Sequence, residues 1–193
     1  MNRTGRVIFD ACTLENFAVV GRLDLLQALY QDRSTWTDGT ELEVRRGAAE
    51  RPHLQALIGA AWLGTPLAAD EPLAIQQIDR IRRSLGGSPG LPTQHLGEAQ
   101  AIHHVSTVES GAIFATDDRD AYNLAKRRGM NVLDTPDILR ECFDVGFSGC
   151  PESFDLLHKM AATGRGVAMP PNHWYICPNH TVDANSGLVP QPR

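Results

Sequence analysis

Three short apolar runs that each end in aspartate constrain the fold of this chain more than any other feature. They are RVIFDAC at residues 6–12, GAIFATDD at 111–118 and MNVLD at 130–134. Short apolar runs suit strands that are buried on both faces of a parallel sheet. The order of strand, several helices, strand, helix, strand and helix therefore predicts an α/β fold, with a mainly parallel central sheet flanked by helices.

The segments between these runs carry helical patterns, with apolar residues at steps of three and four. We predict one helix or a helix pair over residues 14–30, a helix carrying Glu41 and Glu43, and a helix over residues 54–62. Further helices are predicted for residues 72–85, 95–110, 120–129 and from Thr135 onward. The sequence GGSPGLPT at residues 86–93 predicts a loop, because its glycines and prolines support neither a ladder nor a helix.

The acids at the strand ends raise an electrostatic problem. Asp10 ends the first strand and Asp117 with Asp118 ends the second, so neighbouring parallel strands would bring these carboxylates to one edge of the sheet. Two carboxylates about 4 Å apart repel by roughly 4 kcal/mol at an effective dielectric constant of about 20. Protonation or nearby lysines could offset this repulsion, but a divalent cation with oxygen ligands does it best.

Charge and composition exclude several classes of protein. The net charge of −5 excludes a broad basic field for nucleic acid, so any such contact must be local. No apolar run approaches 18 residues and the N-terminus lacks the apolar region of a secretory signal, which predicts a cytoplasmic protein without membrane contact. The four cysteines form no CxxC pair and do not predict a disulfide framework.

Four segments in order resemble the PIN domain family: VIFDACTLENF, TELEVRRG, HLGEAQAI and FATDDRDAYNLAKRRGMNVLDTPDIL. PIN domains are metal-dependent ribonucleases that are common as the toxins of bacterial toxin–antitoxin pairs. The similarity spans residues 6 to about 145. It implies a PIN-like three-layer α/β/α sandwich over residues 1–145, and residues 146–193 are predicted to form a helical and irregular C-terminal extension.

The resemblance also implies a set of site residues, which are Asp10, Glu43, Glu98, Asp117 and Asp118 as catalytic acids. Among them, Asp10, Glu98, Asp117 and Asp118 would hold Mg²⁺ or Mn²⁺, with Thr116 and Asp120 supporting them. Two alternatives stay open. The family pattern fits either the pair Asp117 and Asp118 or the spacing of Asp118 and Asp120, and Glu41 competes with Glu43, although the two cannot face the same way on a helix.

The implied reaction is hydrolysis of RNA phosphodiester bonds, with one or two metal ions lowering the pKa of a bound water. The implied partners are an RNA substrate, an antitoxin protein and a second copy of the chain in a homodimer. One alternative is a PIN-like interaction module that has lost its nuclease activity. A phosphatase-like domain would need a second acid two residues after Asp10, where Cys12 stands. The spacing of His173, Cys177 and His180 offers three zinc-type ligands but lacks a fourth.

Overall fold

A four-stranded parallel sheet lies at the centre of the computed structural model, which describes residues 4–178. The strands are β1 (Val7–Phe9), β2 (Ser34–Trp36), β3 (Ile113–Ala115) and β4 (Asn131–Leu133), in the order β2-β1-β3-β4. Val7 lies opposite both Ser34 and Ile113, and Ile113 lies opposite Asn131. Because all neighbours are parallel and in this register, the four C-terminal strand ends meet at one edge of the sheet.

Eight α-helices surround the sheet in the described part of the chain. They are α1 (Ala11–Val19), α2 (Leu23–Tyr30), α3 (Asp38–Gly47), α4 (Pro72–Ser84), α5 (Leu96–Thr107), α6 (Arg119–Arg127), α7 (Thr135–Asp144) and α8 (Glu152–Ala162). Short 3₁₀ helices occur at Pro52–Leu57, Ala61–Leu63 and His173–Tyr175. None of the helices within residues 4–178 combines the length and the apolar composition needed to cross a membrane.

Two hydrophobic cores lie on opposite faces of the sheet, because successive strand side chains point to opposite sides. Val7 and Phe9 pack with residues of α1, α2, α3, α7 and α8, whereas Ile8 and Phe114 pack with residues of α4, α5 and α6. Val7, Ile8 and Phe9 have no exposed surface. The chain is therefore a three-layer α/β/α sandwich, which confirms the predicted fold class.

Helix α8 packs on the sandwich even though it follows the predicted boundary at residue 145. Leu156, Leu157 and Met160 are buried in the same core as Phe9 and Phe17. The described part of the extension thus shares its core with the preceding residues. The division of the chain at residue 145 stays a prediction.

The structure differs from the sequence-based prediction at two places. The strand β2 was not predicted, because Ser34 and Thr35 resemble a polar cap more than a strand. In the sheet β2 lies at one edge and pairs with β1. The prediction of one helix over residues 54–62 is wrong, since two short 3₁₀ helices form in this region instead. Gly59 lies between them with a φ of 79°, a left-handed conformation that interrupts a helix.

Candidate active site

Polar residues follow each strand and cap the helix that comes next. Asp10 accepts a hydrogen bond from the backbone N–H of Ala11, and Thr37 accepts one from the N–H of Thr40. Asp118 accepts one from the N–H of Ala121 at 2.8 Å. Such caps satisfy N–H groups that the first helical turn leaves unpaired. Because the strand ends meet at one edge, capping also places these side chains along that edge.

Asp10 is buried at the end of β1, with 2% of its surface exposed. Its Oδ2 atom accepts hydrogen bonds from the hydroxyl of Thr116 and the thiol of Cys12, each at 2.9 Å. Burial, followed by the charge of Glu98, raises the pKa of Asp10 well above its usual range. Asp10 is therefore a carboxyl group held in a fixed orientation, and it is costly to ionise without a compensating charge.

Glu43 and Glu98 are brought together by a close crossing of α3 and α5 at two glycines. A Cβ atom at Gly97 would lie 2.7 Å from the Oγ1 atom of Thr40, and one at Gly39 would lie 2.9 Å from the backbone nitrogen of Gly97. No side chain larger than hydrogen fits at either position without displacing its neighbour. The glycines thus let the two helices approach until their glutamates face the same edge of the sheet as Asp10.

We expect Gly97→Ala to push α3 and α5 apart and to destabilise the protein by about 1 to 3 kcal/mol, the usual effect of overpacking. The same displacement should weaken divalent-cation binding, because it separates Glu43 from Glu98. Urea unfolding and Mn²⁺ titration measure the two effects. Gly149→Ala is the matched control, since a Cβ atom at Gly149 meets nothing within 4 Å. Equal stability of the two variants would contradict the role given to the crossing.

Glu98, Asp118 and His95 converge in front of the sheet edge. One ligand atom from each of these side chains lies within 4.8 Å of the other two. The charge of Glu98 also raises the pKa of Asp10, and the charges of Glu43 and Asp118 raise that of Glu98. We call the four carboxylates the acidic site: Asp10, Glu43, Glu98 and Asp118.

Burial dominates the electrostatics of the acidic site. It raises the pKa of Glu98 from 4.5 to about 7, with the charges of Glu43 and Asp118 adding to the shift. Glu43 has an exposed surface, yet packing around its carboxyl group also raises its pKa, against the opposing effect of Arg51. At neutral pH these groups hold protons more tightly than ordinary acids do, unless a cation compensates their charge.

We predict that the metal-free protein loses stability as the pH rises from about 4.5 to about 7. Across this window the folded state, in which the pKa of Glu98 is about 7, binds more protons than the unfolded state, so deprotonation favours unfolding. Urea unfolding in EDTA at several pH values measures this slope. Glu98→Gln should make the slope shallower, and an unchanged slope in that variant would contradict the prediction.

Asp117 lies behind the acidic site, with both carboxylate oxygens occupied. Its Oδ2 atom accepts hydrogen bonds from the hydroxyls of Thr13 and Thr135, at 2.8 and 2.6 Å, and from the Nδ2 atom of Asn16 at 3.0 Å. Its Oδ1 atom accepts a hydrogen bond from the backbone N–H of Thr135. Asp117 therefore connects the end of β3 to α1 and α7. A metal ion bound by Asp117, as predicted, would have to compete with these four hydrogen-bond donors for its oxygens.

The remaining predicted residues take different positions. Thr116 is buried; it donates to Asp10 and accepts from the backbone N–H of Asp118. Asp120 is exposed in the first turn of α6. Glu41 pairs with Arg45 at 2.7 Å on the outer side of α3. Of the alternatives that the sequence left open, the structure places Glu43 and Asp118 toward Glu98, and it does not bring Glu41 or Asp120 there.

Sequence reasoning did not single out the ion pairs beside the acidic site. Glu15, which is buried in α1, pairs with Arg51 and with Arg165, the latter at 2.6 Å, and contacts His53 at 3.0 Å. Arg165 follows α8, about 150 positions along the chain from Glu15, so no local pattern links the two. His95 was also missed, although its position three residues before Glu98 is a usable signal on a helix.

The zinc-type spacing near the C-terminus stays a prediction. The backbone N–H of Cys177 donates to the carbonyl of His173 in a short 3₁₀ turn. Neither residue belongs to a group of three metal-binding side chains within residues 4–178. The third ligand of that prediction, His180, lies outside the described residues.

Comparison with known families identifies the fold family of the chain. A family model described as a PIN domain matches residues 6–169, which cover the whole sheet, helix α8 and all four carboxylates of the acidic site. No curated protein and no solved structure matches the sequence.

Proposed function

The chain belongs to the PIN domain family of nuclease-type hydrolases, and from this premise we propose that it is a metal-dependent endoribonuclease that hydrolyses RNA phosphodiester bonds. One observation carries the proposal: four carboxylates from distant parts of the chain share one edge of the sheet. Burial raises the pKa values of three of them, Asp10, Glu43 and Glu98, and the charges of neighbouring carboxylates of the acidic site add to the shifts of Asp10 and Glu98. A fold keeps so unfavourable a cluster where a cation compensates it during function.

The donor set fits a hard divalent cation. Asp10, Glu98 and Asp118 would hold Mg²⁺ or Mn²⁺, and Glu43 would contribute through water or at a second ion, because carboxylate oxygens are the ligands these ions favour. When bound, such a cation acts as a Lewis acid that activates water and neutralises charge on the phosphate. We assign Asp117 a structural role, since its oxygens already have four donors.

The protein supplies orientation around that site. The hydroxyl of Thr116 donates a hydrogen bond to the carboxylate of Asp10 and accepts one from the backbone N–H of Asp118. One residue thus aligns two carboxylates. The carboxylate of Asp118 caps α6 by accepting a hydrogen bond from the backbone N–H of Ala121. This cap holds the carboxylate at the helix N-terminus, whose partial positive charge favours an anion. Such preorganisation places ligands before the substrate arrives.

Two arginines beside the acidic site, Arg51 and Arg165, suit the phosphates of RNA, and we call them together with Glu15 the arginine flank. Arg51 and Arg165 share the single negative charge of Glu15, which leaves this flank with a net positive charge. Their charges lower the pKa of Glu43, so they act on the acidic site itself. The guanidinium group matches phosphate geometry, which makes this flank the local nucleic-acid contact that an acidic chain requires.

We further propose that the protein acts as the toxin of a toxin–antitoxin pair. The exposed apolar side chains Phe147, Met169 and Trp174 lie in the C-terminal part and offer a surface for an antitoxin or for a second copy of the chain. Co-expression with the product of a neighbouring gene, followed by size-exclusion chromatography, tests for a partner. Elution as a free monomer in every case would contradict this part of the proposal.

The experiment that tests the nuclease proposal is incubation of the purified protein with tRNA and mixed RNA in MgCl₂ or MnCl₂, with and without EDTA. We expect internal cleavage that needs the divalent cation and stops in EDTA. Cleavage that survives EDTA would contradict the metal-dependent mechanism. A protein that neither cleaves RNA nor is stabilised by either cation would instead be the PIN-like interaction module.

A further inference from the structure

His95 has a backbone conformation that its residue type disfavours. Its φ of 57° and ψ of 25° place it in the left-handed region, and among residues 4–178 no other residue except glycine has a positive φ. His95 precedes α5 at the N-cap position, but its side chain makes no capping hydrogen bond. Helix capping therefore does not account for the histidine, and this conformation turns its ring toward the acidic site.

The ring of His95 is placed where a ligand would be. Its Nδ1 atom lies 3.3 Å from the Oε1 atom of Glu98, and Asp118 completes a set of ligand atoms within 4.8 Å of one another. Ligands bonded to a single ion at about 2.1 Å lie at most about 4.2 Å apart, so small side-chain adjustments bring all three to one ion.

We propose that His95 Nδ1 is a ligand of the divalent cation in the acidic site and makes the site prefer Mn²⁺ to Mg²⁺. This inference rests on the proposed metal-dependent function. Mg²⁺ favours oxygen ligands and retains its waters, whereas imidazole nitrogen suits transition metals. A purely carboxylate site offers little discrimination between the two ions, and one nitrogen ligand shifts the balance toward Mn²⁺.

The test compares MnCl₂ and MgCl₂ binding to the full-length metal-free protein by calorimetry, together with pulsed EPR of bound Mn²⁺. In the wild type we expect ¹⁴N coupling to Mn²⁺ and an affinity about tenfold higher for Mn²⁺ than for Mg²⁺. In His95→Asn the coupling should disappear and Mn²⁺ affinity should fall about tenfold, with Mg²⁺ affinity nearly unchanged. Asparagine is chosen because it tolerates the left-handed conformation.

Two further variants make the result decisive. His95→Gly should lose the nitrogen coupling in the same way while staying folded, because glycine adopts a positive φ without strain. His53→Gln should retain the coupling, since His53 contacts Glu15 rather than the convergent ligands.

Three results would overturn the inference: Mn²⁺ bound without nitrogen coupling, coupling that persists in His95→Asn, or equal affinities for the two cations in the wild type. If either cation supports RNA cleavage under those results, the proposed function stands and only the role of His95 fails. If neither cation binds, both proposals fail together.

Discussion

Asp10→Asn should reduce divalent-dependent RNA cleavage by at least about a thousandfold while leaving the metal-free protein folded. Loss of several kcal/mol of electrostatic stabilisation corresponds to a rate change of this size. The amide removes a buried negative charge that is already costly to ionise, because burial and Glu98 raise the pKa of Asp10. Stability at neutral pH should therefore be kept or increased. Cleavage rates on a labelled RNA and thermal unfolding in EDTA measure the two effects.

A matched acid in the same chain controls for a general effect of lost charge. Asp155 is exposed in the first turn of α8, and Asp155→Asn removes the same charge there. This variant should cleave at the wild-type rate. Wild-type cleavage by Asp10→Asn, or an equal loss in Asp155→Asn, would contradict the assignment of the reaction to the acidic site.

Asp117→Asn should destabilise the protein by about 3 kcal/mol, which lowers the melting temperature by about 10 °C in a chain of this size. Whichever oxygen the amide nitrogen replaces, it would face a buried N–H group that now donates to Asp117, either the Nδ2 atom of Asn16 at 3.0 Å or the backbone N–H of Thr135, so one buried donor loses its acceptor. The connection between β3, α1 and α7 would weaken. Urea or thermal unfolding in EDTA measures the loss without interference from bound cations.

The adjacent residue is the control. Asp118→Asn keeps a good capping residue at the start of α6, so stability should change by less than about 1 kcal/mol, while cation binding and cleavage should be lost. The two neighbours should thus show opposite phenotypes. If Asp117→Asn instead abolished cation binding without a change in stability, Asp117 would be a metal ligand, as the family resemblance implies.

Much of the fold followed from local sequence patterns. Runs such as VIF and IFA are short, apolar and followed by polar caps, and alternate with amphipathic helices, which is enough to predict a parallel sheet between helical layers. The elements missed were those whose pattern is ambiguous over a few residues. Ser34 and Thr35 form an edge strand because β1 offers them a partner, which a local pattern does not reveal.

The candidate site was predicted as a group of residues, without the contacts that distinguish its members. Asp10 was recognisable from its place at a strand end, and Glu98 from the resemblance of HLGEAQAI to the PIN domain family. The arginine flank was not, because Glu15 and Arg165 meet only after α8 folds back against α1. Long-range ion pairs of this kind leave no periodic signal in the chain.

The sequence by itself determined the parallel sheet and the convergence of acids at its C-terminal edge, because strand ends and helix caps are set by neighbouring residues. Only the tertiary structure decided which acid faces that edge. Asp117 and Asp118 are adjacent and chemically identical, yet donors from α1 and α7 hold Asp117 inside while Asp118 caps α6 beside Glu98. The direction of a side chain depends on distant partners that fill its hydrogen bonds, and these partners exist only in the folded chain.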